Sequence, residues 1–159
     1  MHWLKNPLTA PSAPIACTAL FANLTRRELR IVQGFMHPRQ YLPGEIVFDE
    51  GEEGQALYIV MSGKVRICLP GRTDATLAEL GSGDFFGEMG LLDQWPRAAQ
   101  AISVEHTEVA ALFRGDFERL MSAHAGIASK IAVQLARHIA ARMRELLARQ
   151  GRPSGAEAP

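Results

Sequence analysis

Gly87, Glu88 and Arg97 bring together, within one short segment, three residue types that can act on a phosphate ester. Gly87 has no Cβ, so the backbone can approach a ligand closely there. The residues after Gly87 are expected to begin a short helix, whose first amides have no intrahelical acceptor and attract anions. An ionised Glu88 accepts hydrogen bonds only and suits a sugar hydroxyl, while Arg97 offers a planar fork of donors to a phosphate.

The spacing around these residues forms a longer motif. Gly87-Glu88-Met89-Gly90-Leu91 is followed, after five residues, by Arg97-Ala98-Ala99. This motif resembles the phosphate-binding cassette of cyclic-nucleotide-binding domains, the type found in catabolite activator proteins and in regulatory subunits of cAMP-dependent protein kinases. Residues 46–63 resemble the early strands of the β-roll of the same family. Phe48 is bulkier than the aliphatic residue expected there, a departure that we expect to affect packing rather than ligand contact.

The resemblance implies a module that binds cAMP or cGMP inside the roll. Arg97 would pair with the cyclic phosphate, the amides of residues 87–90 would share that anion, and Glu88 would hold the ribose 2′-hydroxyl. Ala98 stands where cGMP-preferring relatives often have Thr, and Ala98-Ala99 after the Arg is similar to the kinase regulatory subunits, which favours cAMP. The ligand-binding residues that follow from the resemblance are Phe86, Gly87, Glu88, Met89, Gly90, Arg97, Ala98 and Ala99.

The residue that covers the base is left open by the sequence. The long helix near the C-terminus is expected to supply it, from one of four residues: Arg137, His138, Arg142 or Met143. Trp95 is an alternative stacking group, but its place just before Pro96 favours a packing or rim role.

The elements that would position this site can be read from turn and cap signals. Thr25 stands three residues before Glu28, which predicts a capping box at the start of a short helix. Asp116 is the expected N-cap of a later helix. In the segment 64–69, alternation predicts a partly exposed Cys68. Glycine turns, one of them at residues 70–71, separate the predicted strands, which are 35–41, 45–49, 56–62, 64–69, 76–80, 98–104 and 107–114.

This order predicts an α+β, mainly β fold: an antiparallel, jelly-roll-like β-roll flanked by an N-terminal helix and a long C-terminal helix. We expect an extended arm at residues 1–16, the nucleotide-binding roll at 17–123, the C-terminal helix at 124–149 and a disordered tail at 150–159.

The C-terminal helix carries two stripes at helical spacing. The small-residue stripe is formed by Ala128, Ala132, Ala136 and Ala140. The large apolar stripe is formed by Ile127, Ile131, Leu135, Ile139, Met143, Leu146 and Leu147. Two stripes predict two partners, the roll and either a second copy of the chain or another protein.

The composition of the chain argues against several classes of function. Seventeen basic and seventeen acidic residues leave no net charge, which argues against direct nucleic-acid binding. Two cysteines are too few for a disulfide framework, and no apolar run is long enough for a membrane span. No catalytic or metal-ligand constellation stands out, and His37, His106 and His124 look isolated. We therefore expect a cytoplasmic, non-enzymatic protein without a metal.

The resulting hypothesis is a cAMP receptor, either a stand-alone sensor or a fragment of something longer, that changes the surface of its C-terminal helix when ligand binds. Three alternatives stay open. The first is the effector domain of a transcription regulator separated from its DNA-binding domain, and the second is a scaffold that binds no ligand. The third is an enzyme such as a phosphodiesterase, which needs a metal cluster that the sequence does not show.

Overall fold

The computed structural model of the protein describes residues 13–69 and 72–151. The helices there are α1 (Ala13–Cys17), α2 (Arg26–Gln33), α3 (Met89–Leu92), α4 (Arg114–Ala123) and α5 (Ala125–Gln150), with a 3-10 turn at Ala19–Phe21. The strands are β1 (His37–Tyr41), β2 (Ile46–Phe48), β3 (Ala56–Ser62), β4 (Val65–Leu69), β5 (Arg72–Leu80), β6 (Phe85–Phe86), β7 (Gln100–Ser103) and β8 (Thr107–Phe113).

The strands form two antiparallel sheets. One sheet has the order β1-β8-β3-β6, and the other has the order β2-β7-β4-β5. Helices precede the sheets in the chain, and the long α5 follows them. The arrangement confirms the predicted antiparallel roll with flanking helices.

Strand β3 separates two cores because successive side chains point to opposite faces of a sheet. Leu57, Ile59 and Met61 belong to a cluster shared with the helices, while Val60 belongs to a cluster between the two sheets. The cluster between the sheets contains Phe48, Val60, Val65, Phe86, Ala101 and Val109. The helices therefore pack on the outside of the roll, and aromatic and aliphatic side chains fill the inside.

The capping box is present at the start of α2. The backbone amide of Glu28 donates to Thr25 Oγ1 at 3.2 Å, and the amide of Thr25 donates to Glu28 Oε2 at 2.8 Å. Lys130 of α5 donates to both carboxylate oxygens of Glu28 at 3.0 Å. Glu28, the second residue of the capping box, therefore also ties α2 to α5.

Strand positions agree with the prediction more closely than strand faces do. Each predicted strand overlaps an observed one, but the two-residue β6 was missed because so short a strand has no periodicity. The expectation for Cys68 was wrong, since this residue is fully buried. The pairing of β4 with β5 shifts register between Ile67 and Cys68, which breaks the regular alternation of faces.

The start of α4 also differs from the prediction. The N-cap residue is Phe113, and Asp116 lies in the first turn instead. The Asp116 carboxylate is buried and accepts from His37 Nε2 at 3.0 Å and from Arg119. His37 is therefore not isolated, contrary to expectation, because the fold brings β1 next to α4.

Helix α5 starts one residue after the predicted start at residue 124 and ends one residue beyond the predicted end at residue 149. Ile127, Ile131 and Leu135 on its first half are buried, whereas Leu146 and Leu147 on its second half are more than half exposed. Within residues 13–69 and 72–151, none of the helices has the length and hydrophobicity that a membrane span requires.

The two predicted terminal segments are only partly described. Residues 13–16 of the expected extended arm are helical, as part of α1. The rest of the arm, the turn at 70–71 and residues 152–159 of the expected tail lie outside the described residues. The boundaries between the roll, the C-terminal helix and these segments stay a prediction.

Candidate functional site

Gly87 ends β6 and turns the chain into α3. It adopts a φ of 76°, which favours glycine. A Cβ at this position would lie 2.9 Å from Arg97 Nη1 and 3.0 Å from the Ala56 carbonyl oxygen. Gly87 is therefore required both by backbone conformation and by the close approach of the guanidinium.

Arg97 is held on the roll by its backbone. Its amide donates to the Glu52 carbonyl at 2.7 Å, and its carbonyl accepts from the Gly51 amide at 2.9 Å. Its guanidinium points to the bend at Gly87. Nη1 donates to the Gly87 carbonyl at 2.9 Å, and Nη2 donates to the Ala56 carbonyl at 2.8 Å. The sequence did not foresee these carbonyl partners.

The guanidinium of Arg97 is buried without an acidic partner in contact. Arg97 is 8% exposed, and it takes part in none of the ion pairs that the described residues form. Burial lowers the pKa of Arg97, an effect opposed by Tyr58 and by the more distant charges of Glu88 and Glu52. A buried cation that lacks a bonded carboxylate is stabilised when an anion binds to it.

Phe48 contacts this guanidinium directly. The Cζ atom of Arg97 lies 4.0 Å from the centre of the Phe48 ring, within cation–π range. Phe48 also packs against Tyr58 and Phe86, at ring-centre distances of 6.0 and 5.9 Å. The expectation that its bulk affects packing alone was incomplete, since Phe48 supports Arg97 and lines the cavity beside it.

Glu88 sits between the turn and α5. It is only 6% exposed and precedes the first residue of α3. One carboxylate oxygen, Oε1, lies 3.6 Å from His138 Nε2 and 3.5 Å from Arg142 Nη1. The same carboxylate that was expected to meet a sugar therefore contacts two residues of the long helix.

A cavity of about 210 Å³ lies beside these residues. It brings together all eight residues that the resemblance assigned to ligand binding. The lining consists of Phe48, Ile67, Leu77, Ala78, Leu80, Phe85, Phe86, Gly87, Glu88, Met89, Gly90, Trp95, Pro96, Arg97, Ala98, Ala99 and Arg142. The wall is mostly apolar, with an acid and two arginines, as expected for a pocket that encloses a small ligand.

Comparison with known proteins decides what kind of domain holds this cavity. The family model described as "Cyclic nucleotide-binding domain" matches residues 38–124, which include the whole segment from Gly87 to Ala99. The chain belongs to the cyclic nucleotide-binding domain family. The domain therefore has a family assignment that agrees with the site geometry.

The domain is similar to several characterised proteins. It is 43% identical over 122 residues to the cyclic AMP receptor protein of Thermus thermophilus, covering 76% of this chain and 56% of that protein. The crystal structure of the Thermus thermophilus catabolite activator protein has a TM-score of 0.71 and 40% identity, covering 81% of this chain and 62% of that one. A cAMP-dependent protein kinase regulatory subunit of Colletotrichum orbiculare is 32% identical over 108 residues, covering 68% of this chain and 27% of that protein. The chain therefore covers 62% or less of the length of each of these relatives.

The residues that were candidates for covering the base lie at different distances from the cavity in this domain. Arg142 lines the cavity, and His138 packs on Phe85 at a ring-centre distance of 4.6 Å in an adjoining cavity. Arg137 is exposed and is not among the lining residues. Met143 is 55% exposed. Trp95 is 70% exposed at the rim of the domain's cavity, so it has a rim position rather than a packed one.

One residue that contacts the cassette of the domain was missed by sequence reasoning. Arg114, the first residue of α4, donates to the carbonyl of Gly90 in α3 at 3.1 Å. No local sequence pattern predicts this contact, since an Arg after a strand is common and its partners lie in distant segments.

Proposed function

We propose that this cavity binds a cyclic nucleotide monophosphate and that the chain acts as its receptor, with cAMP preferred over cGMP. The observation that supports the proposal most directly is the buried guanidinium of Arg97, which faces carbonyl oxygens and has no bonded carboxylate. A cyclic phosphate would supply the missing negative charge.

The polar groups at one end of the cavity suit the sugar and phosphate. A guanidinium has five N–H donors, and the Ala56 and Gly87 carbonyls engage two of them, so further donors can meet the phosphate. The amides of Gly90 and Leu91 already donate to the carbonyls of Gly87 and Glu88. We therefore assign the backbone part of the phosphate contact to the amides of residues 87–89, and the ribose hydroxyl to Glu88.

The preference for cAMP is supported by the apolar lining near the base. The described residues that line the cavity include neither Ser nor Thr, and Ala98 and Ala99 contribute only methyl groups. Guanine has a carbonyl at C6 and an amino group at C2, where adenine has an amino group and a hydrogen, so guanine has one more polar exocyclic group that would lose water there without a side-chain hydroxyl in return. Adenine has fewer polar groups to satisfy.

The contact between Glu88 and α5 supplies the proposed output. A sugar hydroxyl that bonds to Glu88 would compete with His138 and Arg142 or be covered by them. Either change alters how the second half of α5 sits on the roll. A ligand can shift such an equilibrium only by its difference in affinity for the two states. We propose that α5 presents the altered surface to a second copy of the chain or to another protein.

Calorimetric titration with cAMP and cGMP tests the proposal. We expect wild-type protein to bind cAMP more tightly than cGMP, and Arg97→Ala to weaken cAMP binding by about 10- to 100-fold, since a hydrogen bond to a charged group contributes about 1.5–3 kcal/mol. Arg97→Lys keeps the charge and should retain part of the affinity. Arg66→Ala is the matched control, because Arg66 pairs with Glu79 on the outer face of the sheet and does not line the cavity.

Absence of heat with both nucleotides would contradict receptor function and favour the scaffold alternative. Equal affinities of wild type and Arg97→Ala, with both proteins folded, would remove the assigned role of Arg97. The proposed receptor has no catalytic activity of its own, which incubation with cAMP and product analysis would check. The cytoplasmic location stays a prediction from the sequence.

A second candidate is the effector part of a transcription regulator. It is favoured by the similarity to the N-terminal domain of a transcriptional regulator from Streptomyces coelicolor, which is 26% identical with a TM-score of 0.72 over 89% of this chain. Sequencing of the gene directly downstream of this segment would distinguish the two candidates. Coding sequence for a DNA-binding domain there would favour the transcription regulator.

A further inference from the structure

Arg114 occupies an unusual position at the junction of β8 and α4. Its side chain is 18% exposed and reaches away from its own helix toward α3 and the turn between β2 and β3. Nε donates to the Gly90 carbonyl at 3.2 Å, Nη2 donates to the Asp93 carbonyl at 3.0 Å, and Nη2 also donates to the Gly54 carbonyl. The nearest carboxylate is that of Glu53, at 3.9 Å and half exposed. Backbone carbonyls, rather than an acid, are thus its main partners.

The carbonyls that Arg114 joins belong to two backbones in direct contact. A Cβ on Gly54 would lie 2.8 Å from Gly90 Cα, and a Cβ on Gly90 would lie 3.0 Å from Gly54 Cα. A Cβ on Gly90 would also lie 2.9 Å from Arg97 Nη1. The position of α3 against this turn therefore leaves no room for side chains and also determines the space available to Arg97.

Helix α3 cannot hold this position by itself. It has four residues, and a single helical turn is unstable in isolation. Of its large side chains, Leu91 is buried, whereas Met89 and Leu92 are about half exposed. Arg114 binds carbonyls of the last turn and of the residue after it, which are the acceptors that a helix end leaves without intrahelical donors.

We propose that Arg114 is a positioning residue for the nucleotide site. It fastens α3 to the turn between β2 and β3 and thereby fixes the amides of residues 87–89 and the guanidinium of Arg97. It also connects the cassette to the helix that leads into α5, since Arg114 is the first residue of α4 and α5 follows α4 after His124. This inference rests on the proposed function as far as ligand affinity is concerned, but the fastening of α3 does not.

The affinity arm compares three variants by calorimetric titration with cAMP. Arg114→Met keeps the apolar stem and loses the donors, so we expect binding about tenfold weaker or more. Arg114→Lys keeps a charge and some donors and should rescue part of this loss. Arg119→Met is the matched control: it removes an arginine from the same helix that is 70% exposed and bonded to Asp116, and it should leave affinity unchanged.

The ligand-free arm measures amide hydrogen exchange by mass spectrometry. Arg114→Met should speed exchange at residues 88–93, while the amides of β3 and β8 keep the wild-type rate. Unchanged exchange at residues 88–93 would overturn the proposal, whether or not the protein binds cAMP. A wild type that does not bind cAMP while Arg114→Met still loosens α3 would count against the proposed function alone.

Loss of the fold in Arg114→Met would raise exchange throughout the roll. In that case Arg114→Lys provides the test, and faster exchange confined to residues 88–93 in this variant supports the positioning role. Wild-type exchange and wild-type affinity in folded Arg114→Lys, beside an unfolded Arg114→Met, would overturn it, since Arg114 would then serve the fold and not the site.

Discussion

At the scale of single residues, the site depends on the burial of charges rather than on their number. Arg97 is nearly buried and bonded to two carbonyl oxygens, and Glu88 is nearly buried beside α5. Both groups would gain from a ligand that carries a negative phosphate and a sugar hydroxyl. The nucleotide proposal therefore rests on two polar groups whose protein partners leave them capacity for further bonds.

Glu88→Gln tests the sugar contact. We expect cAMP binding to weaken by up to about 10-fold, because Gln still accepts a hydrogen bond and only the difference between a charged bond (about 1.5–3 kcal/mol) and a neutral bond (about 0.5–1.5 kcal/mol) is lost. The affinity for 2′-deoxy-cAMP, which lacks the hydroxyl, should change much less. Calorimetry with both ligands on both proteins gives the comparison. Equal losses for the two ligands would show that Glu88 does not bind the 2′-hydroxyl.

Eight of the residues that line the cavity could be predicted from sequence, but their partners could not. The motif from Gly87 to Ala99 placed eight residues together, and the structure brings all eight to one cavity. One carbonyl partner of Arg97, that of Ala56, and the ring of Phe48 lie more than forty residues away in sequence. Such contacts arise from tertiary packing and leave no local pattern.

At the scale of elements, turn and cap chemistry located the helices and strands better than alternation located their faces. The capping box at Thr25 is local and was predicted correctly. The burial of Cys68 accompanies a register shift in the pairing of β4 with β5, and the buried carboxylate of Asp116 bonds to His37 of β1. Local signals determine where elements begin, and neighbouring strands determine what their side chains contact.

The link between α2 and α5 has a pH dependence whose sign follows from Glu28. The Thr25 amide, in the first place, and Lys130 lower the pKa of Glu28 below its usual value of 4.5. A carboxylate with a lowered folded-state pKa stabilises the fold above the unfolded pKa, and this contribution is lost as pH falls through the folded pKa.

Glu28→Gln should therefore lower the free energy of unfolding at about pH 7, with a difference from wild type that shrinks below about pH 4. Gln keeps the ability to accept the capping hydrogen bond, so the comparison isolates the charge. Urea unfolding at several pH values measures the difference. A gap between the two proteins that stays constant down to low pH would contradict the assignment.

At the scale of the whole molecule, α5 divides into a half that builds the core and a half that offers a surface. Ile131 and Leu135 are buried against the body, whereas Met143, Leu146 and Leu147 are 55, 56 and 60% exposed. Exposed apolar side chains grouped on one helix are typical of a contact surface for another chain. The sequence predicted two partners for this helix from its two stripes, whereas the structure divides the helix along its length, with the buried residues in the first half.

We expect the second half of α5 to mediate self-association. Leu146→Lys combined with Leu147→Lys should reduce the mass measured by sedimentation equilibrium from that of a dimer to that of a monomer, because charges in an apolar contact lose solvation. Leu42→Lys is the matched control, an equally exposed leucine in the turn between β1 and β2. A wild type that is monomeric at high concentration would contradict self-association and leave a different protein as the partner of α5.

The most direct test of the nucleotide site is a ¹⁵N NMR titration with cAMP that follows the Arg97 Nε–H and the amides of Gly87 and Glu88. We predict that all three signals shift along one common binding curve, and that adenosine, which lacks the phosphate, leaves the Arg97 signal in place. Binding of cAMP that shifts signals elsewhere while the Arg97 and Gly87 signals stay fixed would contradict the account.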